Sequence, residues 1–140
     1  MADSRTVITI AELVRRAGDS DLLPLVTVAE FFDSNDEEGS IAPNQWEYGR
    51  PPLAELAERF NGIARRDDVA WVRVQLHPQT LETDELAGEA VAICTSADES
   101  TCESWADGLE SSGIMAGLVD DYIAVPAVPD GMRIWSVTWD

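Results

Sequence analysis

The spacing of apolar residues along the chain predicts helices that alternate with strands. Apolar positions recur at i, i+3, i+4 and i+7 over residues 10–17, 28–32 and 52–66, and again over 96–109. Thr9, Thr27 and Ser96 each stand three residues before a glutamate. That spacing is a capping box, in which the hydroxyl and the carboxylate bond each other's backbone N–H groups. We therefore expect helices to begin at these three positions.

Three further segments have the pattern of strands. Residues 70–77 alternate between apolar and polar side chains, which indicates a strand with one half-solvated face. Residues 90–95 are almost all apolar, as in a strand covered on both faces. Residues 133–139 are rich in β-branched and aromatic side chains. The polar or Gly/Pro-rich stretches 79–88 and 111–131 are predicted to be connections.

The order of these elements predicts an α+β fold, with residues 1–140 forming one domain. A further strand from Ser40 to Trp46 would complete the order βαββαβ. That is the ferredoxin-like, or split βαβ, plan: a four-stranded antiparallel sheet with two helices on one face. The short N-terminal helices would pack at its margin. Pro43 has no N–H for a central strand, so this strand is either short and irregular or lies at an edge in a different topology.

The charge of the chain limits the classes of partner that it can bind. It carries 27 acidic against nine basic residues, a formal net charge of −18, and no basic residue occurs from Val74 to Met132. Such a surface repels nucleic acid and anionic membranes and attracts basic protein surfaces. Solubility or adaptation to salt explains the same charge without any partner.

Localisation and redox chemistry follow from what the sequence contains. It shows no signal-peptide pattern and no apolar run of bilayer length, so a cytoplasmic protein is expected. Cys94 and Cys102 fall at apolar positions and are predicted to be small core residues without a disulfide. No cofactor is predicted, since neither a phosphate-binding glycine loop nor a dinucleotide fingerprint occurs.

An oxygen-rich loop over residues 33–41 is the most distinctive local sequence. Asp33, Asp36 and Glu38 are weak candidates for metal ligands, because the loop faintly resembles a calcium site. Ser34 and Gln45, however, stand where that site needs an aspartate and a bidentate glutamate. A turn with solvated carboxylates is the simpler interpretation.

The single histidine and the tryptophans each allow two interpretations. His77 lies at a strand end before Pro78, so it is either an exposed strand terminus or a general base beside a carboxylate. A small enzyme or metal-dependent domain would use the carboxylates of residues 33–38 with Asn44 or His77. Trp71, Trp135 and Trp139 lie on predicted strands. They either fill the core or form an exposed aromatic face that contacts another protein or a second copy of the chain.

Two segments resemble a group of small acidic bacterial proteins without an assigned activity. One is Leu25–Ile41, with its Phe-Phe-x-x-Asn-Asp motif, and the other is the closing Gly-Met-Arg-x-Trp strand. The resemblance covers most of residues 25–140 and leaves the helix before residue 20 outside. It implies a bacterial, cytoplasmic, single-domain protein and carries over no catalytic residues.

Together these features predict a non-enzymatic interaction module, an inhibitor or immunity-type binder of a basic partner such as a nuclease. Alternatives are a carboxylate-based metal-binding or small hydrolytic domain, and a structural homodimer through an open sheet face. The expected contact residues lie in the acidic loop and the fourth predicted helix: Asp33, Asn35, Asp36, Glu37, Glu38, Asp98, Glu99, Glu103, Asp107 and Glu110.

Overall fold

The helices of the protein lie mostly where the apolar spacing predicts them. A computed structural model describes residues 8–33, 35–42 and 49–139. Within these ranges the chain forms the α-helices α1 (Ile10–Ala17), α2 (Val28–Phe32), α3 (Leu53–Ala64), α4 (Thr80–Thr83) and α5 (Glu99–Trp105). One turn of 3-10 helix spans Glu38–Ser40. None of the helices in the described ranges is both long and apolar enough to cross a bilayer.

The strands form a single antiparallel sheet. They are β1 (Val26–Thr27), β2 (Val69–Leu76), β3 (Gly88–Thr95), β4 (Gly113–Ala116) and β5 (Arg133–Thr138). Their order across the sheet is β1-β2-β3-β5-β4. The predicted α+β class is therefore confirmed.

The predicted four-stranded ferredoxin-like order is wrong. That plan places the first strand between the strands here called β3 and β5. In the structure these two strands pair directly, from Ala90 opposite Thr138 to Thr95 opposite Arg133, which leaves no room between them. Most of the strand expected over 40–46 lies outside the described residues. In its described part, Ile41 makes one isolated bridge to Gly88.

Two elements appear where the sequence predicts only connections. β4 is a four-residue edge strand that begins at Gly113 and precedes Gly117, both at positive φ. Its brevity and these glycines, which are typical of turns, hide the strand pattern. The helix α4 is a single short turn within the connection from β2 to β3.

The helix caps confirm two of the three predicted starts. Thr27 accepts a hydrogen bond from the backbone N–H of Glu30 at 3.0 Å, and the Glu30 carboxylate accepts one from the Thr27 N–H at 2.8 Å. Thr9 caps α1 by accepting from the Glu12 N–H at 3.1 Å. The third start is wrong by two residues, because Asp98 rather than Ser96 caps α5.

The main hydrophobic core lies on one face of the sheet. Side chains of β2, β3 and β5 pack there against α2, α3 and the residues that follow α5. Phe31, Leu56 and Phe60 are fully buried in this core. Phe60 meets Trp139 edge to face, with ring centroids 6.4 Å apart. Since aromatic pairs of this geometry are favourable, they anchor α3 on the end of β5.

Residues 117–132, which we call the strap, cover the opposite face of the sheet. The strap contributes Leu118, Tyr122 and Met132 to a second, smaller core around Leu25 and Trp71. The Trp71 indole N–H donates to the carbonyl of Ala127 at 3.0 Å. The Tyr122 hydroxyl donates to the carbonyl of Leu76 at 2.7 Å.

The prediction of an exposed aromatic face is therefore wrong. Trp71, Trp135 and Trp139 are all buried, with at most 8% of each residue exposed. The Trp71 ring packs in the smaller core under the strap, and the Trp139 ring packs in the main core. The predicted state of the cysteines is confirmed, because Cys94 and Cys102 are buried and free.

Ion pairs fasten α1 to α2. Arg16 bonds the carboxylate of Glu12 at 2.9 Å and also bonds Glu30. Hydrogen bonds from Arg15 and Arg16 lower the pKa of Glu12 to about 2. Burial by itself would raise the pKa of Glu30, but the bonds from Arg16 and the Thr27 backbone outweigh it and lower the pKa.

These lowered pKa values predict a pH-dependent stability. A carboxylate whose folded pKa is depressed stabilises the fold above its unfolded pKa, and that contribution is lost as the pH falls toward the folded pKa. In urea unfolding, Arg16→Gln should therefore cost more stability at about pH 6 than at about pH 3. Arg65→Gln, on an exposed residue, is the control. An equal cost of Arg16→Gln at both pH values would contradict the prediction.

Candidate functional site

A groove of about 770 Å³ lies between the loop after α2 and the segment that joins β2 to β3. Gly88 lies between its two walls. A Cβ atom on Gly88 would lie 3.0 Å from the ring of Phe31 and 3.1 Å from Ile41. The absence of a side chain thus lets β3 and the loop approach closely enough for the Ile41–Gly88 bridge.

Asn35 shapes the first wall of the groove. Its side-chain amide donates to the Phe31 carbonyl at 2.9 Å and to the Ser40 hydroxyl at 3.1 Å. Its Oδ1 accepts from the backbone N–H of Glu37 at 2.9 Å. These bonds fold the loop onto the end of α2 and leave Asp36 and Glu37 exposed along the groove.

The second wall is built by α4 and the residues around it. The backbone N–H of His77 donates to the Ala87 carbonyl at 2.7 Å, and the Thr80 hydroxyl donates to the same carbonyl at 3.2 Å. α4 ends at Thr83, and its C-cap residue Asp84 has a left-handed backbone. This turn places Asp84 and Glu85 on the wall, exposed and across the groove from the loop.

The groove is strongly negative. Four exposed carboxylates line it, and its lining contains no arginine among the described residues. Concave surfaces of one sign concentrate counter-ions and speed the approach of oppositely charged ligands. We call this surface, defined by Asp36, Glu37, Asp84 and Glu85, the acidic groove.

His77 lies on the wall of the acidic groove and is half-buried. Its Nδ1 accepts a hydrogen bond from the backbone N–H of Gln79 at 3.1 Å. A neutral ring bonded in this way carries its proton on Nε2. The described hydrogen bond of the His77 ring therefore stabilises the turn into α4.

Glu38 does not line the groove, because its carboxylate bonds to residues at the start of α3. Its carboxylate accepts from the guanidinium of Arg50 at 2.5 Å and from the backbone N–H of Leu53 at 3.1 Å. Arg50 also donates to the backbone carbonyls of Glu38 and Ile41, at 2.6 and 2.7 Å. This ion pair ties the loop to the start of α3.

The three candidate metal ligands do not come together. Asp33 ends α2, Asp36 lines the acidic groove and Glu38 binds Arg50. In the ranges that the structure describes, no group of three or more His, Cys, Asp or Glu side chains is placed to hold a metal ion. Asn44, the alternative to His77 as the residue that works with the loop carboxylates, lies outside the described residues.

The predicted contact residues of the fourth predicted helix begin at the other end of the sheet. Asp98 and Glu99 follow the end of β3 at Thr95, whereas the acidic groove lies at its start. A strand of that length spans about 25 Å. The Asp98 carboxylate accepts from the Thr101 N–H at 2.9 Å, so it serves as a helix cap.

The remaining acids of this set, Glu103, Asp107 and Glu110, are exposed. Of these, Glu110 lies against Gly49, since a Cβ at Gly49 would lie 2.9 Å from its Cδ atom. The two halves of the predicted contact set therefore begin about one strand length apart.

Sequence reasoning missed one wall of the acidic groove. Asp84 and Glu85 belong to a segment that the sequence shows only as a polar connection. The sequence contains a weak signal. When two successive strands pair, the segment that joins them lies near the strand ends, and here one of those ends is His77. Only the fold shows that the loop after α2 lies on the other side.

The fold and the site define a class: a small, strongly acidic α+β protein with a groove lined by exposed carboxylates. The chain belongs to the uncharacterized protein YfbO family, whose match covers residues 5–137. This agrees with the resemblance to proteins without an assigned activity. Neither a curated protein nor a solved structure matches the chain.

Proposed function

We propose that this protein is a non-enzymatic binding module that holds a cationic protein surface in the acidic groove. The observation that carries the proposal is the concentration of four exposed carboxylates in one concave surface without a lining arginine among the described residues. An inhibitor or immunity-type antidote of a basic effector would use such a surface. Complementary charge speeds association and selects against acidic partners.

The construction of the groove supports binding more than catalysis. Asn35 and the Arg50–Glu38 pair hold one wall in place, and the Thr80–Ala87 bonds hold the other. A preformed surface loses little conformational freedom on binding. A hydrolytic site would need a base oriented by a carboxylate, whereas the described bond to the His77 ring comes from the backbone of Gln79.

Charge neutralisation in the groove tests the proposal. The variant D36N/E37Q/D84N/E85Q keeps the side-chain shapes, and asparagine tolerates the left-handed backbone of residue 84. Its affinity for a fluorescent arginine-rich peptide, measured by anisotropy, should fall at least about 10-fold relative to the wild type. Affinity of the wild type should also fall as salt rises from about 50 to about 300 mM.

The matched control changes the same number of charges elsewhere. The variant E99Q/E103Q/D107N/E110Q neutralises four exposed acids in and after α5 and spares the cap Asp98. Its affinity should stay within about threefold of the wild type, as expected when distant charges are screened. An equal loss in both variants, or no binding at any salt concentration, would overturn the proposal.

A further inference from the structure

We propose that a second pocket, at the opposite end of the β2–β3 pair, binds an α-amino acid through Arg133 and Trp135. The pocket has a volume of about 400 Å³ and lies between the start of β5 and the turn into α5. That volume is within the range of small-molecule sites. A buried donor, a cation without an ion pair among the described residues and the charge of the rim support this site, and none of them belongs to the acidic groove.

The first observation is an indole N–H without an acceptor. Trp135 forms part of the pocket and is 8% exposed, and its buried Nε1 has no hydrogen-bond partner among the described residues. The other strand tryptophans differ: Trp71 donates to Ala127 and Trp139 donates to Leu109, each at 3.0 Å. Native proteins satisfy nearly all buried donors, so an orphan N–H beside a pocket points to an acceptor from a ligand.

The second observation is the placement of Arg133. It is the one basic residue that follows Arg73 in the sequence, and it makes no ion pair within the described part of the chain. Arg133 and Trp135 are two apart on β5, so their side chains project from the same face of the strand. A guanidinium and an indole N–H on two residues that line one pocket are donors of the kind that bind a carboxylate.

The acidic rim decides what kind of carboxylate fits. Asp98 and Glu99 line the same pocket as Arg133. A purely anionic ligand meets these two carboxylates and the net charge of −18, and both repel it. A zwitterion avoids this cost, because its ammonium group faces the acids while its carboxylate faces Arg133 and Trp135. An α-amino acid carries both groups on adjacent atoms.

The indole N–H resonances provide a direct test. In ¹⁵N-labelled protein, Trp135→Phe identifies the Trp135 indole signal by its loss. Each of the common amino acids is then titrated into the wild type, and at least one should move this signal to saturation. Trp135→Phe should abolish that binding, seen as loss of the shifts that the amino acid causes in the backbone amide signals of Arg133 and Glu99. The smaller ring leaves a cavity at a buried position, so a modest fall of Tm is expected, and the remaining amide spectrum shows that the variant stays folded.

Two arginine variants separate the pocket from general charge. Arg133→Gln should weaken the affinity for that amino acid at least about 10-fold, since it removes a charged hydrogen bond worth more than a neutral one. Arg65→Gln, on an exposed arginine outside the pocket lining, should leave it unchanged. The proposal is overturned if no amino acid moves the Trp135 signal, or if Arg133→Gln binds as tightly as the wild type.

Discussion

Replacing Arg50 by methionine is expected to lower the free energy of unfolding by about 3 kcal/mol. The Arg50 side chain is completely buried, and its donors bond the Glu38 carboxylate and two backbone carbonyls. Methionine fills similar space but leaves these acceptors without the donor. Because the Glu38 side chain is 32% exposed, water relieves part of the cost, so the expected loss lies at the low end for a broken buried pair.

Urea unfolding of three variants measures this effect. Arg65→Met, on an exposed arginine, is the matched control and should change stability by less than about 0.5 kcal/mol. Glu38→Gln should cost about 1 kcal/mol, since its amide oxygen still accepts from Arg50 and Leu53. If Arg50→Met cost no more than Arg65→Met, the ion pair would not hold the loop in place.

Replacing Gln75 by leucine is expected to cost about 2 to 3 kcal/mol. Gln75 is fully buried in β2, where its Nε2 donates to the Ser136 hydroxyl and its Oε1 accepts from the Val119 N–H, each at 2.8 Å. Ser136 in turn donates to the Gly117 carbonyl at 2.5 Å. Leucine leaves the Val119 N–H without its acceptor, so the strap should detach more readily.

Hydrogen exchange distinguishes this local effect from general loss of stability. In Gln75→Leu the Val119 amide should exchange faster by a larger factor than the amides of β3. Gln79→Leu is the matched control, because Gln79 is exposed and its side chain should tolerate the change. Equal acceleration at Val119 and in β3 would mean that Gln75 stabilises the whole fold without fixing the strap in particular.

The sequence predicts the local elements well because their signals are local. The caps at Thr9 and Thr27 and the apolar stripe of α3 depend on residues a few positions apart. The sheet order depends on distant contacts. The bond from Trp71 to Ala127 joins residues 56 positions apart, and no periodic pattern in the strap predicts it. The sequence therefore predicts the class of fold, while the order of its strands could not be deduced.

The sequence also predicts only the local features of the candidate site. Asp36 and Glu37 are predicted as exposed acids because their loop is dense in carboxylates, and the structure exposes them. Asn35 and Glu38 lie in the same carboxylate-rich loop, but their side chains bond to other parts of the protein. Asn35 bonds Phe31 and Ser40, and Glu38 bonds Arg50. Only tertiary packing decides which acids remain available and which bond to the protein itself.

The two edge strands of the sheet are short, which disfavours aggregation in crowded solutions. β1 has two residues before α2 begins, and β4 has four before Gly117 turns the chain away. Long flat edges are the usual templates for fibril growth, since they offer a row of free backbone N–H and C=O groups. Here each row is too short to recruit another polypeptide, and the mutual repulsion of chains with a net charge of −18 acts in the same direction.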